Sequence, residues 1–199
     1  MTIAVLFALE REAAPFRRAA RGVKHVTIHV SGVGRKRARE AAQRLHDSPS
    51  LVIAAGFCGA LSPSLRVGDI VQSPRILTVN HLVCDPAEKC QLSEFHDAVD
   101  MESAAVAEVC AGKGVPFLAV RAVSDTAHTA LSPELVRLLS GGNVSPLKAC
   151  YALMWKPSLL GEFLRLARDT KVAAENLAAE LMKVVNNETL GAGAPRVST

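Results

Sequence analysis

Three short stretches of this 199-residue chain place carboxylates where an apolar run stops or a helical pattern begins. Glu10 and Glu12 follow Ile3–Leu9, Asp125 stands behind Ser124 after Pro116–Val123, and Asp100-Met101-Glu102 opens a helical stretch. Carboxyl groups in such positions suit acid–base work. One kept protonated can hand a proton to a leaving group, and an ionised one can take a proton or steady a developing positive charge. The six histidines are scattered without ligand spacing, so no metal site is expected. A GxSxG elbow and a P-loop are both absent.

Two glycine-bearing turns, Ser31-Gly32-Val33-Gly34 and Gly56-Phe57-Cys58-Gly59, accompany the carboxylates. The first falls short of a dinucleotide fingerprint, because Arg37 stands where the third glycine belongs and no acidic residue follows in the right strand context. It reads either as a tight strand-to-helix turn or as a loop whose backbone comes close to a small molecule.

The elements that must position these groups alternate. Ile3–Leu9 is a continuous apolar run, as in a strand buried on both faces. A helix over Glu10–Arg21, a strand over Val26–Val30 and a basic helix from Lys36 to Leu45 follow. Leu51–Ala55 reads as a buried strand ending at Gly56, and Leu65–Val71 as a turn into a strand. Ile76–Val79 reads as a short strand, Met101–Ala111 as a helix closed by Gly112 and Gly114, and Pro116–Val123 as a strand. Glu134–Leu139 is expected to be a short helix and Phe163–Val185 to contain a long amphipathic one. One domain over residues 1–185 is expected, with 186–199 as a mobile tail of turn formers. Strands alternating with helices imply an α/β domain with a largely parallel sheet, and ligands of such sheets bind outside the carboxyl ends of the strands.

Composition narrows the function. A chain of this length with 49% hydrophobic residues builds a proper core, which excludes disorder and small disulfide scaffolds. The longest apolar stretch, Leu51–Leu61, is far short of a membrane span, and Met1–Leu9 lacks a basic flank and a cleavage site. Five cysteines without a CxxC pair read as reduced thiols of a cytoplasmic protein. The net charge is +4, and Glu10–Arg44 carries ten Lys and Arg against three Glu. That segment is a solvated helical face or a surface for anions, including an anionic membrane. Nucleic acid is not expected as a partner, since no aromatic residues interleave with the basic ones.

Several segments together, in order, resemble the purine nucleoside phosphorylase and nucleosidase superfamily. They are Ile3-Ala4-Val5-Leu6-Phe7-Ala8-Leu9-Glu10-Arg11-Glu12, Ser31-Gly32-Val33-Gly34, Ala55–Leu61 running into Val67-Gly68-Asp69-Ile70-Val71, and Val99-Asp100-Met101-Glu102-Ser103-Ala104-Ala105 with Val115–Asp125. Within it the likeness is to the methylthioadenosine/adenosylhomocysteine nucleosidases. The Asp-Met-Glu-Ser variant, the shortness and the loop Asp85-Pro86-Ala87-Glu88-Lys89 are most similar to the hopanoid-associated phosphorylase group. The resemblance covers residues 3–125 and, more loosely, the C-terminal helix. It implies a three-layer α/β/α phosphorylase/hydrolase-like fold with a mixed, largely parallel central sheet. The implied enzyme takes a nucleoside or nucleoside-lipid substrate, works without a cofactor and forms a homo-oligomer, a dimer.

The resemblance also implies roles. Asp125 would protonate the purine N7, with Ser124 beside it. Glu102 would bind the ribose hydroxyls, Met101 would pack on the sugar, and Glu12 would hold or activate the attacking water. Val33, Phe57, His81, Leu82 and Ser124 would line the base and 5′ sides. These assignments suit the chemistry: an N-glycosidic bond breaks through a cationic sugar, and the departing purine needs a proton. The chain departs from the family in three ways. Ala54 and Phe57 replace an Arg and a small hydroxyl expected of a phosphate site, which favours water over phosphate as nucleophile, although Arg35 or Arg121 could supply phosphate contacts. The stretch between Val71 and Asp100 is short, leaving Asn80-His81-Leu82-Val83 to contact adenine. A trimmed wall would open the 5′ side to a bulky lipid tail, with the basic first quarter resting peripherally on a membrane. The resulting expectation is release of adenine from a 5′-substituted adenosine, adenosylhopane above all. The alternatives are a methylthioadenosine/adenosylhomocysteine or futalosine-type nucleosidase and a non-catalytic nucleoside-binding protein.

Overall fold

A computed structural model describes residues 2–45, 49–130, 132 and 158–190 of the chain. Its first strand, β1 (Ile3–Phe7), is buried at every position. Alternation explains why. Ile3, Val5 and Phe7 face one apolar cluster, and Ala4 and Leu6 face another. The remaining strands are β2 (Val26–Val30), β3 (Leu51–Ala60), β4 (Ile70–Gln72), β5 (Ile76–Thr78), β6 (Ala98–Asp100) and β7 (Phe117–Asp125). The helices are α1 (Glu10–Ala19), α2 (Arg35–Gln43), α3 (Pro86–Leu92), α4 (Ser103–Lys113) and α5 (Ser158–Leu190).

All seven strands form one sheet with the path β2-β1-β3-β6-β5, while β7 pairs with β3 and with β4. The pairs β1–β2, β1–β3, β3–β7 and β5–β6 are parallel, and β3–β6 and β4–β7 are antiparallel. On one face Ala13 and Phe16 of α1 join Ala173, Leu177, Leu181 and Val185 of α5 against the sheet. On the other, Ala38 and Ala42 of α2 join Val106 and Cys110 of α4. The result is a three-layer α/β/α fold with a mixed, mostly parallel sheet, as expected.

Several boundaries differ from the sequence reading. The third strand does not stop at Gly56 but continues to Ala60, because β7 runs beside it and supplies ladder partners, Phe57 with Ala122 and Cys58 with Val123. Phe57-Cys58-Gly59 is therefore strand and not turn. The fourth helix begins at Ser103, so Met101 and Glu102 precede it, with Glu102 at the N-cap. The short 72–99 segment is not bare. It holds β5, β6 and α3, the last started by Asp85, whose side chain accepts from Ala87 N, and by Pro86 at the first turn. The last helix runs to Leu190, past the expected start of a tail at Asn186. Its apolar side buries Leu181 and Val185 in the core cluster with the sheet. The short helix expected over Glu134–Leu139 lies outside the described residues, as does the rest of the expected tail, 191–199.

Candidate active site

At the carboxyl ends of β1, β3 and β7 lies a cavity of about 780 Å³, within the span of roughly 300–1,000 Å³ usual for small-molecule sites. Glu12 forms part of its wall. The first turn of α1 follows β1 closely enough for this carboxylate to bend back on the chain. Its Oε2 accepts from Ala8 N at 3.1 Å and Leu9 N at 2.9 Å, and its Oε1 accepts from Phe57 N at 3.1 Å. Burial pushes its pKa above the ordinary 4.5, and a neighbouring Glu102 adds to this. Arg121 and the amides of Leu9 and Phe57 work in the opposite direction. A carboxylate lifted in this way is a stronger base than a solvated one, as suits a group that must take up a proton. Glu10, by contrast, is exposed and pairs with Arg17 at 3.1 Å. Of the two carboxylates after β1, Glu12 is the buried one.

Arg121 ties the floor of the site together. It sits on β7 with 1% of its side chain exposed. Its Nη2 lies 2.5 Å from Asp100 Oδ2 and 3.6 Å from Glu102 Oε2, and it donates to Ser103 Oγ at 3.1 Å. Asp100 also accepts from Thr78 Oγ1 at 2.6 Å and from Ser103 N at 2.9 Å. A Cβ on Gly56 would come within 2.5 Å of Arg121 Nη1 and 3.1 Å of Glu12 Oε2, so the absent side chain is what lets both groups approach β3. Breaking such a buried charged set by removing one partner costs about 3–5 kcal/mol. The sequence reading offered Arg121 as a phosphate contact, but the structure commits it to these carboxylates. Arg35, the other offered contact, pairs with Glu108 at 3.2 Å.

Glu102 reaches the site from the N-cap of α4. Its Oε1 accepts from Gly34 N at 2.8 Å. This explains the Ser31–Gly34 turn. Gly32 and Gly34 take φ values of 87° and 100°, a region that glycine enters readily, and so turn a backbone N–H toward the carboxylate. Asp125 closes β7. There the β3–β7 register slips, Val123 lying opposite Cys58 and Asp125 opposite Gly59, so that Ser124 is the extra residue. Ser124 Oγ lies within hydrogen-bond distance of Cys58 O, at 3.2 Å, and of Asp125 Oδ1, at 2.9 Å. The sequence reading made Asp125 a protonated acid, yet in the structure its Oδ2 accepts from Lys89 Nζ at 2.5 Å.

The nine residues singled out from sequence (Glu12, Val33, Phe57, His81, Leu82, Met101, Glu102, Ser124 and Asp125) all border this cavity. The Phe57 ring also lies 6.0 Å from the Arg11 guanidinium. His81 and Leu82 are exposed at the rim, where His81 Nε2 is 2.6 Å from Glu88 Oε1 of α3. Leu166 and Thr170 of α5 complete the wall and were missed. Lys89 was also missed as a site residue, and Asp100 was seen without a role. A buried arginine in the apolar strand Phe117–Asp125 was a legible sign of a partner set, since buried charge must be paired. A lysine in the polar stretch Pro86–Leu92 carries no such sign.

Residues 7–90 and 73–139 match the phosphorylase superfamily, and the chain belongs to that family. Among curated relatives, the 5′-methylthioadenosine/S-adenosylhomocysteine nucleosidase of Shewanella halifaxensis is 32% identical over 109 residues, covering 53% of this chain and 46% of the relative. The matched stretch thus spans about half the length of such relatives. Futalosine hydrolase of Helicobacter pylori superposes with a TM-score of 0.70 at 16% identity, over 94% of this chain and 98% of that one. A mutant of the Helicobacter pylori 5′-methylthioadenosine/S-adenosylhomocysteine nucleosidase, solved with 5′-methylthioadenosine in the active site, gives 0.69 at 16% identity over the same shares. These two likenesses show a shared fold.

Proposed function

We propose that this chain cleaves the N-glycosidic bond of a 5′-substituted adenosine and releases adenine, with water as the nucleophile. The observation that carries the proposal is that Glu12, Glu102 and Asp125, on three different elements, border one cavity together with Met101. The C1′–N9 bond breaks with its electron pair going to the base. Asp125 passes a proton to N7, Glu102 holds the ribose hydroxyls beneath a sugar that turns cationic, and Glu12 takes the proton of the attacking water. Chromatography of the products from 5′-methylthioadenosine and from adenosylhopane, with and without phosphate, tests the reading. Free adenine and a free ribose derivative, formed at the same rate in both conditions, are expected. A ribose 1-phosphate as main product overturns the choice of water.

The identity of the 5′ group is the finer part of the proposal. The cavity wall includes the apolar side chains of Leu9, Val33, Phe57 and Leu166, which suit a large hydrophobic substituent such as the hopane of adenosylhopane. The names of the curated relatives favour methylthioadenosine instead, and the same product analysis separates the two. Among the described residues no helix is long and apolar enough to cross a membrane. A lipid-borne substrate would be met peripherally, through the basic residues of α1 or of α2, which pack on opposite faces of the sheet. Arg17 of α1, and Arg35, Arg39 and Arg44 in and just after α2, are already paired with Glu10, Glu108 and Glu40.

Two expected results follow from individual side chains. Glu102→Ala should impair ribosides more than 2′-deoxyribosides, because the bond it removes is to a sugar hydroxyl; equal losses in kcat/KM on both substrates would count against a ribose role. The acid limb of the kcat/KM profile should lie above the ordinary glutamate range. As pH falls through the raised pKa of Glu12, the group takes a proton and stops serving as a base. An inflection at or below 4.5 would show that another group governs this limb.

A further inference from the structure

Among the buried charged side chains of the described residues, Lys89 is the one the chemistry above leaves unexplained. It is fully buried, at 0% exposure, in a helix of only seven residues. Its ammonium donates to Asp125 Oδ2 at 2.5 Å, Thr126 O at 2.8 Å and Thr129 O at 3.3 Å, three acceptors for three protons. Placing an ammonium where water cannot reach it is costly unless every donor is met, as here. Lys89 does not border the cavity, whereas Asp125 does, with 12% of its side chain exposed. The lysine thus stands behind the carboxylate, on the far side from a bound base.

We propose that Lys89 supplies, through Asp125, the proton that the departing base requires. Both Asp125 oxygens are occupied, Oδ1 beside the Ser124 hydroxyl and Oδ2 by Lys89, so a proton given up by this carboxyl comes from the ammonium seated on it. Among the described residues, the other titratable groups that act on the pair are poor sources. Cys58 on β3 and Cys84 ahead of α3 are thiols that burial pushes upward, and Arg121 is held by Asp100 and Glu102. The step balances. As C1′–N9 breaks, N7 takes a proton from Asp125 and Asp125 takes one from Lys89. Asp125 begins and ends as a carboxylate, Lys89 becomes an amine, the base leaves neutral and the positive charge stays on the sugar. Water adds to C1′ and gives its proton to Glu12. That proton returns to Lys89 through water in the emptied cavity and Asp125. Lys89 touches no substrate and is a positioning and proton-supplying residue for Asp125.

This inference rests on the nucleosidase reading, and the test separates the two. Adenine release from 5′-methylthioadenosine and from adenosylhopane is measured in single turnovers for the native chain, Lys89→Met, Asp125→Asn and the double variant. Binding of an uncleavable C-nucleoside analogue is measured alongside. Lys89→Met should bind the analogue as the native chain does but release adenine roughly 10²–10⁴-fold more slowly, the span of general acid catalysis. In the Asp125→Asn background it should add nothing, because a residue acting only through Asp125 has nothing left to act through. That background also removes the unpaired carboxylate that could unfold the single variant. The proposal is overturned if Lys89→Met turns over normally, if binding and release fall together, or if its loss is additive with that of Asp125→Asn. A native chain that binds nucleosides but releases no base from either 5′-substituted adenosine overturns the nucleosidase reading itself.

Discussion

Asp125→Asn is expected to lower adenine release roughly 10²–10⁴-fold while leaving nucleoside binding largely intact, the span usual for a general acid. The amide is nearly the same size and can still accept hydrogen bonds through its oxygen, so the β3–β7 register around Ser124 should persist. It cannot pass a proton to N7. Single-turnover release and equilibrium binding, measured on one preparation, check this. Near-normal turnover would remove Asp125 from the chemistry. Loss of binding would make it a recognition residue.

Glu12→Gln is the second large effect. The native carboxylate accepts three backbone N–H groups, from Ala8, Leu9 and Phe57. A glutamine has one acceptor oxygen and presents an NH₂ where one of those donors already points, so local geometry suffers as well as basicity. Hydrolysis should fall by roughly 10²–10⁴-fold, because the attacking water is left without a base. The same substitution removes a negative partner of Arg121. A thermal melt should accompany the kinetics. Loss of rate in a chain that still melts cooperatively assigns the effect to chemistry. Retained hydrolysis would show that water needs no base here.

Much of this was legible from sequence. The apolar runs at Ile3–Phe7 and Phe117–Val123 had to be buried strands, and the sheet then brought the groups at their carboxyl ends together. That logic found Glu12, Asp125 and the Glu102 segment. It misjudged Gly56, where an absent side chain looked like the end of a strand. In the structure it makes room for Arg121 and Glu12, a tertiary demand that local propensity does not express. It also read Asp85–Lys89 as loop, although Asp-Pro is a helix-start signal, because the segment is short and polar. Lys89 could not be distinguished from an exposed lysine without the fold that buries it.

The Arg121 set carries one further consequence. Around this single guanidinium stand three carboxyl side chains, Glu12, Asp100 and Glu102, all of which act on it electrostatically. The Lys89–Asp125 pair is balanced within itself. The floor of the cavity thus has more acidic than basic groups before any ligand arrives. An inorganic phosphate would have to carry its own negative charge into that surplus, whereas water brings none. On the proposed reading, the arrangement that steadies a cationic sugar would, by the same arithmetic, also act as an anion filter at the door of the nucleophile.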